Sequence, residues 1–223
     1  MIPLSDESRR VSAFPVMTAS IIAVNALVFA LELINGDAFV EHWSLVPRDV
    51  SAGHNLLTII TAMFMHASWS HIIGNMIFLW AFAPEMEDAM GEIRFLGFYL
   101  LGGVVAFAVQ IAADPNSTIP NLGASGAIAS VMGGFMVTYP RDRIRTLLFL
   151  GWFVRVTFVP AALLIGLWFI TQLFSLGDIT DQKSGGVAYM AHIGGLIFGA
   201  LTARLFEGNR SAFGFFGADD NRE

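Results

Sequence analysis

The 223-residue chain has no cysteine, and only 13% of its residues are charged. The lack of cysteine excludes disulfides, thiolate nucleophiles and metal sites built on sulfur. The scarcity of charge, with 55% hydrophobic residues and a mean hydropathy of +0.65, excludes an ordinary soluble domain. The first ten residues also lack the short apolar core of a cleavable signal peptide, so none is expected. The composition predicts an integral membrane protein without a nucleic-acid partner.

Six apolar runs are long enough, or nearly so, to cross a bilayer. They predict spans at 16–33, 69–83 or one turn beyond, 95–112, 125–139, 159–174 and 187–206. The predicted fold class is therefore all-α: a polytopic bundle of six transmembrane helices. The domain covers residues 16–206, between a cytoplasmic N-terminal segment (1–15) and a flexible cytoplasmic tail (207–223).

Three segments between these runs are not predicted to cross the membrane. Residues 35–68 mix aromatic and charged residues, which favours a segment lying along the interface. Residues 141–155 are predicted to make a short interfacial excursion that turns at Gly151. Residues 175–186 are polar and rich in glycine, which is typical of a mobile cap.

Basic residues predict the orientation of the six spans. With both termini inside, ten of the twelve Arg and Lys residues fall inside, and only Arg48 and Lys183 fall outside. In the absence of targeting features, a bacterial inner membrane is the default localisation.

This topology brings four polar side chains to one depth. Spans two, four and six run from outside to inside, and their first turns contain His71, Asn75, Ser125 and His192. Polar groups within spans are costly and usually face a bundle interior or a wet cavity, so their convergence predicts a site in the outer third of the membrane.

Small residues share a helical face with each of the two central polar groups. Ser125 lies on a face with Ala129 and Gly133, and His192 lies on a face with Gly195 and Gly199. Two such faces can pack closely, which would bring the serine and the histidine within hydrogen-bonding distance.

These groups suit acyl transfer. Ser125 is the candidate nucleophile and His192 its base, while His71, Asn75 and the backbone N–H of Ser125 can stabilise an oxyanion. The nearest acidic residues are assigned to loops, so a serine–histidine dyad is predicted. The alternative is purely structural, because Gly, Ala and Ser line many membrane helices and a single His or Asn often ties two helices together.

Four motifs extend from the first long loop to the last span. They read Gly123-Ala-Ser-Gly126, His66-Ala-Ser-Trp-Ser-His71-Ile-Ile-Gly-Asn75, Glu87-Asp-Ala-Met-Gly91 and Ala191-His192-Ile-Gly-Gly195 followed by Gly199. Together they resemble the rhomboid family of intramembrane serine proteases.

The resemblance implies a six-helix fold in which Ser125 is the nucleophile and His192 the general base, then acid. It implies an oxyanion hole formed with His71 and Asn75, and a supporting role for His66 in the loop. It also implies that the protein cleaves transmembrane segments of other membrane proteins near the outer leaflet of the lipid bilayer, without metal or cofactor. Substrate would enter at a gate formed by the 175–186 cap and the fifth span, with Trp168, Phe169 and Phe174.

The chain departs from the family pattern in two places. The Trp-Arg pair that many members carry in the first loop is replaced by Leu57 and Thr58. The aromatic residue that often packs on the histidine is replaced by Ala129, so His192 needs another orienting contact, for which Tyr189 and the packing at Gly195 are the candidates.

Two further functions stay open on the sequence. One is a catalytically silent rhomboid-like protein that binds or escorts membrane clients. The other is a small transporter or channel whose polar cluster binds a solute.

Overall fold

The computed structural model describes residues 1–6, 11–150, 153–175 and 189–208. The helices in this part of the chain are α1 (Val16–Asn35), α2 (Asp37–Trp43), α3 (Pro47–Ser51), α4 (Thr58–Thr61), α5 (Trp69–Met90), α6 (Glu92–Ala113), α7 (Ser125–Thr138), α8 (Ala161–Ser175) and α9 (Tyr189–Phe206). A 3-10 turn (Ala62–Phe64) follows α4 directly, and the strands are β1 (Ile2–Asp6), β2 (Arg143–Leu150) and β3 (Phe153–Pro160).

Three of the described helices are long and apolar enough to cross a membrane, namely α1, α6 and α9. Two shorter apolar helices accompany them, α7 and the first ten residues of α8 (161–170). The 22-residue α5 contains the polar residues His71 and Asn75 and ends in an acidic turn. The molecule is thus a mostly helical membrane protein, and the count of six spans stays a prediction.

Helix α1 is fixed at its first turn by a side chain from α5. Pro15 precedes the helix and offers no side-chain cap. Instead, the Glu87 carboxylate accepts hydrogen bonds from the backbone N–H groups of Met17 and Thr18, at 2.8 and 2.7 Å. A carboxylate at this position accepts hydrogen bonds from free backbone N–H groups, and its negative charge interacts favourably with the positive end of the helix dipole. Following the orientation predicted from the sequence, we call this the inner end of the bundle, and the end where α7 begins at Ser125 the outer end.

The centre of the bundle is built from aromatic side chains of α5, α6 and α7. Phe82 and Phe135 meet edge to face with ring centroids 5.2 Å apart, and both are fully buried. Tyr99 on α6 is likewise fully buried. This large buried surface positions α7 between α5 and α9.

Helices α7 and α9 pack backbone to backbone, as the small-residue faces predicted. A Cβ atom added to Gly195 would overlap the carbonyl of Gly126, and one added to Gly199 would overlap the carbonyl of Ser130. Only glycine permits an approach this close. The contact sets the spacing between the two helices that carry Ser125 and His192.

The all-α prediction is wrong in one respect, because the chain also forms a three-stranded antiparallel sheet in the order β1-β2-β3. Ile2 pairs with Leu147, which in turn pairs with Val156. The segment predicted as an interfacial excursion (141–155) therefore forms β2 and the start of β3, and β1 lies in the segment assigned to the N-terminus. Branched and aromatic residues dominate both long strands, and such short apolar runs fit a strand as well as a helix.

Some predictions fall on residues outside the described part of the chain. These are the turn at Gly151, most of the 175–186 cap, the tail beyond 208 and the side chain of Phe174.

Candidate active site

Ser125 begins helix α7 at the outer end of the bundle. The loop before it turns at Gly123, whose φ of 125° is one that residues with a side chain rarely adopt. The Gly123 N–H donates to the carbonyl of Ala62 at 2.8 Å. A Cβ atom at position 123 would lie 2.9 Å from Nε2 of His71, so the His71 ring sits directly beside this turn. The turn therefore brings Ser125 and His71 into one small region.

The imidazole of His192 contacts the hydroxyl of Ser125. The distance from Nε2 to Oγ is 2.6 Å, and His192 is only 6% exposed. The two residues are separated by 67 positions in the chain and meet because Gly195 packs against the backbone of α7. The contact expected from the two small-residue faces is present.

Two aromatic rings lie beside His192, and a side-chain amide holds the backbone of the residue before it. Trp168 of α8 lies with its ring centroid 5.4 Å from the imidazole, and Tyr189 meets the imidazole edge-on at 6.4 Å. The side-chain oxygen of Gln110 accepts the backbone N–H of Ala191 at 3.2 Å. Tyr189 was an expected neighbour, whereas Trp168 was expected only at the gate and Gln110 was not anticipated. A polar residue near the end of an apolar span was the available signal for Gln110.

The side chains of Asn75 and His66 are joined by a hydrogen bond. The Asn75 amide Nδ2 donates to His66 Nε2 at 2.9 Å, and both side chains are buried. The His66 ring also meets the His71 ring edge to face, with centroids 5.1 Å apart. His71 and Asn75, which the sequence placed around the oxyanion, thus form one cluster with the supporting residue His66 next to the Gly123 turn.

His66 lies in the loop before α5 and is held in its neutral form. Burial, and to a smaller extent the nearby His71, lower the pKa of His66 to about 4. An imidazole with this pKa has a free lone pair at neutral pH. It can therefore accept the hydrogen bond that the Asn75 amide donates.

A buried carboxyl group also belongs to this region, contrary to the expectation that nearby acidic residues lie in loops. Glu32 is in the last turns of α1, is 4% exposed, and its Oε1 accepts the backbone N–H of His66 at 2.9 Å. A single ionisable residue in an otherwise apolar span marks a functional position, and that signal was in the sequence. Among the described contacts the Glu32 carboxyl does not touch His192, so it does not extend the serine–histidine dyad to a triad.

The first loop is anchored without the Trp-Arg pair. Leu57 is 63% exposed, and Thr58 makes only a local bond to the carbonyl of Asn55 at 2.6 Å. The anchoring falls to other groups: Thr61 donates to the Trp43 carbonyl at 3.0 Å, and Leu45 pairs with Asn121 as an isolated bridge. The loop is tied to α2 and to the segment before Ser125.

The chemistry available at this site is acyl transfer. It combines a hydroxyl in contact with a buried imidazole and a nearby cluster of imidazole and amide groups. Within the described ranges, no three His, Asp or Glu side chains gather as metal ligands would. A hydroxyl beside an imidazole is the pairing that can activate a serine as a nucleophile.

Comparison with known protein families agrees with this geometry. The model of the rhomboid domain matches residues 53–208. The chain belongs to the rhomboid family. The match includes all five of the predicted site residues and begins within the first long loop.

This rhomboid is similar to several named proteins. It is 29% identical over 206 residues to the mitochondrial RHOMBOID-like protein 12 of Arabidopsis thaliana, covering 84% of this chain and 58% of that protein. It is 30% identical over 202 residues to the mitochondrial Presenilin-associated rhomboid-like protein of Rattus norvegicus, covering 88% and 48%. It is 30% identical over 112 residues to the Putative rhomboid protease YdcA of Bacillus subtilis, covering 46% and 56%.

The chain spans about half the length of these curated relatives. Their names include mitochondrial and bacterial proteins, so they do not favour the bacterial inner membrane that the sequence took as its default. They support a membrane protein.

Proposed function

We propose that this rhomboid is an intramembrane serine endopeptidase that hydrolyses peptide bonds in or near the transmembrane segments of other membrane proteins. The observation that carries the proposal is the 2.6 Å contact between Ser125 Oγ and His192 Nε2. Membership of the rhomboid family supports the same reaction class.

In this mechanism, Ser125 Oγ attacks the substrate carbonyl while His192 Nε2 takes the hydroxyl proton. The same nitrogen then returns that proton to the departing amine, which leaves an ester on Ser125. A water molecule, deprotonated by His192, attacks the ester, and His192 returns that proton to Ser125 Oγ as the second product leaves as an acid. The contact with Trp168 and the bond from Ala191 to Gln110 keep the imidazole in place for both steps.

Negative charge develops on the carbonyl oxygen when the tetrahedral intermediate forms. His71, the Asn75 amide and the backbone N–H of Ser125 are the donors that we assign to this oxyanion. Since the Ser125 N–H lies at the start of α7, the helix dipole also favours negative charge there.

The substrate is a transmembrane helix that has to unwind before its carbonyl can reach Ser125. Weak helix formers such as glycine near the cut reduce that cost. Helix α8 exposes an apolar face with Leu163, Leu167 and Ile170, and it carries Trp168 beside His192. We assign the substrate path to this side of the site, and we propose an orientation with both termini inside and the site towards the outer face.

The test is cleavage of a labelled single-span substrate after co-reconstitution in lipid vesicles. The wild type should cleave it, whereas Ser125→Ala and His192→Ala should not, and mass spectrometry of the new termini should locate one cut within or beside the span. Equal cleavage by all three proteins would refute the assignment.

A second assay separates a protease from a silent client-binding protein. A fluorophosphonate probe should label Ser125 in the wild type, and labelling should disappear in Ser125→Ala. Retention of substrate by the wild type with neither cleavage nor labelling would favour the silent protein instead. Solute flux that persists in Ser125→Ala would favour a transporter.

A further inference from the structure

The outer end of α1 buries a carboxyl group that the proposed mechanism leaves unused. Glu32 is 4% exposed, although the helix around it is apolar. Burial of such a group is costly unless hydrogen bonds compensate for the lost water. Its compensating bond is the one from the backbone N–H of His66 to Oε1, at 2.9 Å.

That bond is the first of two that lead to the oxyanion donors. His66 is 1% exposed, and its ring Nε2 accepts the Asn75 amide at 2.9 Å. Two successive hydrogen bonds therefore connect Glu32 on α1, through His66 in the loop, to Asn75 in the second turn of α5.

The second bond fixes the direction of the Asn75 amide. One N–H of a planar amide group points at His66, so the other N–H has a determined direction about 120° away. A donor held in one orientation stabilises a developing charge better than one that must first rotate. Any movement of the His66 ring would turn this donor.

We propose that Glu32 is a positioning residue, which holds the backbone of His66 and thereby orients the Asn75 amide towards the oxyanion. The inference rests on the proposed function and adds one residue to it. Glu32 acts through His66 and does not touch the reacting atoms.

The geometry shows which property of Glu32 is needed. Only Oε1 is used in this bond, and Oε2 has no hydrogen-bond partner among the described residues. An acceptor oxygen is thus required, and a negative charge is not. Glu32→Gln keeps the oxygen, whereas Glu32→Leu fills a similar volume without it.

The experiment is a double-mutant cycle between Glu32 and Asn75, with kcat and KM measured on a single-span substrate in lipid vesicles. We expect Glu32→Leu to lower kcat roughly 10-fold, with KM changed less than about 2-fold, because a misdirected donor affects the transition state. Glu32→Gln should stay within about 2-fold of the wild type. In the Asn75→Ala background, Glu32→Leu should cause no further loss beyond about 2-fold.

Glu87→Leu is the matched control, since Glu87 binds the other end of the same helix. Any loss it causes should be the same with and without Asn75, because it acts on α1 and not on the amide. If Glu32→Leu does not fold, Glu32→Asp takes its place, since its shorter side chain withdraws the oxygen from the His66 N–H.

Three results would overturn the inference: an unchanged kcat in Glu32→Leu, equal losses in the Gln and Leu variants, or losses that multiply in the Asn75→Ala background. Failure of the proposed function is distinguishable from these. In that case the wild type neither cleaves the substrate nor reacts with a fluorophosphonate at Ser125, and both ideas fall together.

Discussion

At the inner end of α1, Glu87 accepts two backbone N–H groups of the first helical turn, and at the outer end Glu32 accepts the backbone N–H of His66. The inner bonds join α5 directly to the first turn of α1. The outer bond holds His66, and the ring of His66 in turn accepts a hydrogen bond from the Asn75 amide. The two ends of one helix are therefore secured by similar carboxyl groups with different consequences.

The two ends of α1 are expected to affect different properties, the free energy of folding at the inner end and the proposed reaction at the outer end. Bonds from a carboxylate to helix amides contribute mainly to the free energy of folding, because they satisfy groups that burial would otherwise leave unpaired. Side-chain contacts such as that of Ser125 with His192 contribute little to folding but fix the positions of the atoms to which we assign the reaction. Substitutions at the inner end should therefore change the melting temperature, and those at the outer end the rate of cleavage.

The largest expected effect is that of Ser125→Ala on the reaction. Removal of the proposed nucleophile should lower the cleavage rate by at least about 10⁴-fold. The melting temperature should hardly change, because a single half-buried hydroxyl contributes about 1 kcal/mol or less. Paired rate and thermal-unfolding measurements test this, and a large fall in melting temperature would contradict the separation.

Gly199→Ala should have the largest effect on stability. The new Cβ would overlap the carbonyl of Ser130 and force α7 and α9 apart, at a cost of about 2 kcal/mol or more. The control is Gly97→Ala in α6, where the new Cβ meets no described atom within 4 Å and helix propensity improves. Thermal unfolding in lipid or detergent should show opposite shifts for the two variants.

Glu87→Ala should weaken the inner end alone. Loss of the bonds to Met17 and Thr18 should cost about 2 kcal/mol and lower the melting temperature by several degrees. At a temperature where the variant is folded, its kcat should match that of the wild type. A fall in kcat without a fall in the melting temperature would contradict the conclusion that the inner end determines stability and not the rate of cleavage.

Acidification from pH 7 to pH 6 should have the smallest effect on the free energy of unfolding, and it should arise at the outer end. The pKa of His66 is about 4 in the folded chain and near 6.5 when unfolded, so the unfolded state binds more protons between these values. This contribution to stability is therefore complete above pH 6.5 and is lost as the pH falls towards 4, by on the order of 1 kcal/mol between pH 7 and pH 6. Unfolding measured across this range should show a smaller dependence in His66→Gln, and an equal dependence would exclude His66 as its source.

Sequence patterns located α1, α6 and α9 well because each helix is a long apolar run with polar or glycine residues at its ends. They also brought Ser125 and His192 together, since small residues repeat along one face of each helix. Both inferences use local periodicity, which is visible in a single sequence.

The sheet and the Glu32 bond were missed for a different reason. Pairing of Ile2 with Leu147 joins residues from opposite parts of the chain, and no local pattern in residues 2–6 or 143–150 specifies that partner. Glu32 was visible as a charge within a span, but its distance to His66 depends on how α1 packs against the loop. Trp168 likewise has a side chain typical of any apolar helix until its contact with the His192 ring is known.

The sequence by itself determined that the protein lies in a lipid membrane and which chemical groups form its candidate site. Hydropathy, helical period and residue type are all properties of the chain. Tertiary structure alone decided the contacts that no local periodicity predicts, since atoms many positions apart meet only after the helices have packed. The packing of α8 placed Trp168 beside the His192 ring, and the fold of the first loop gave the buried carboxyl group of Glu32 its partner.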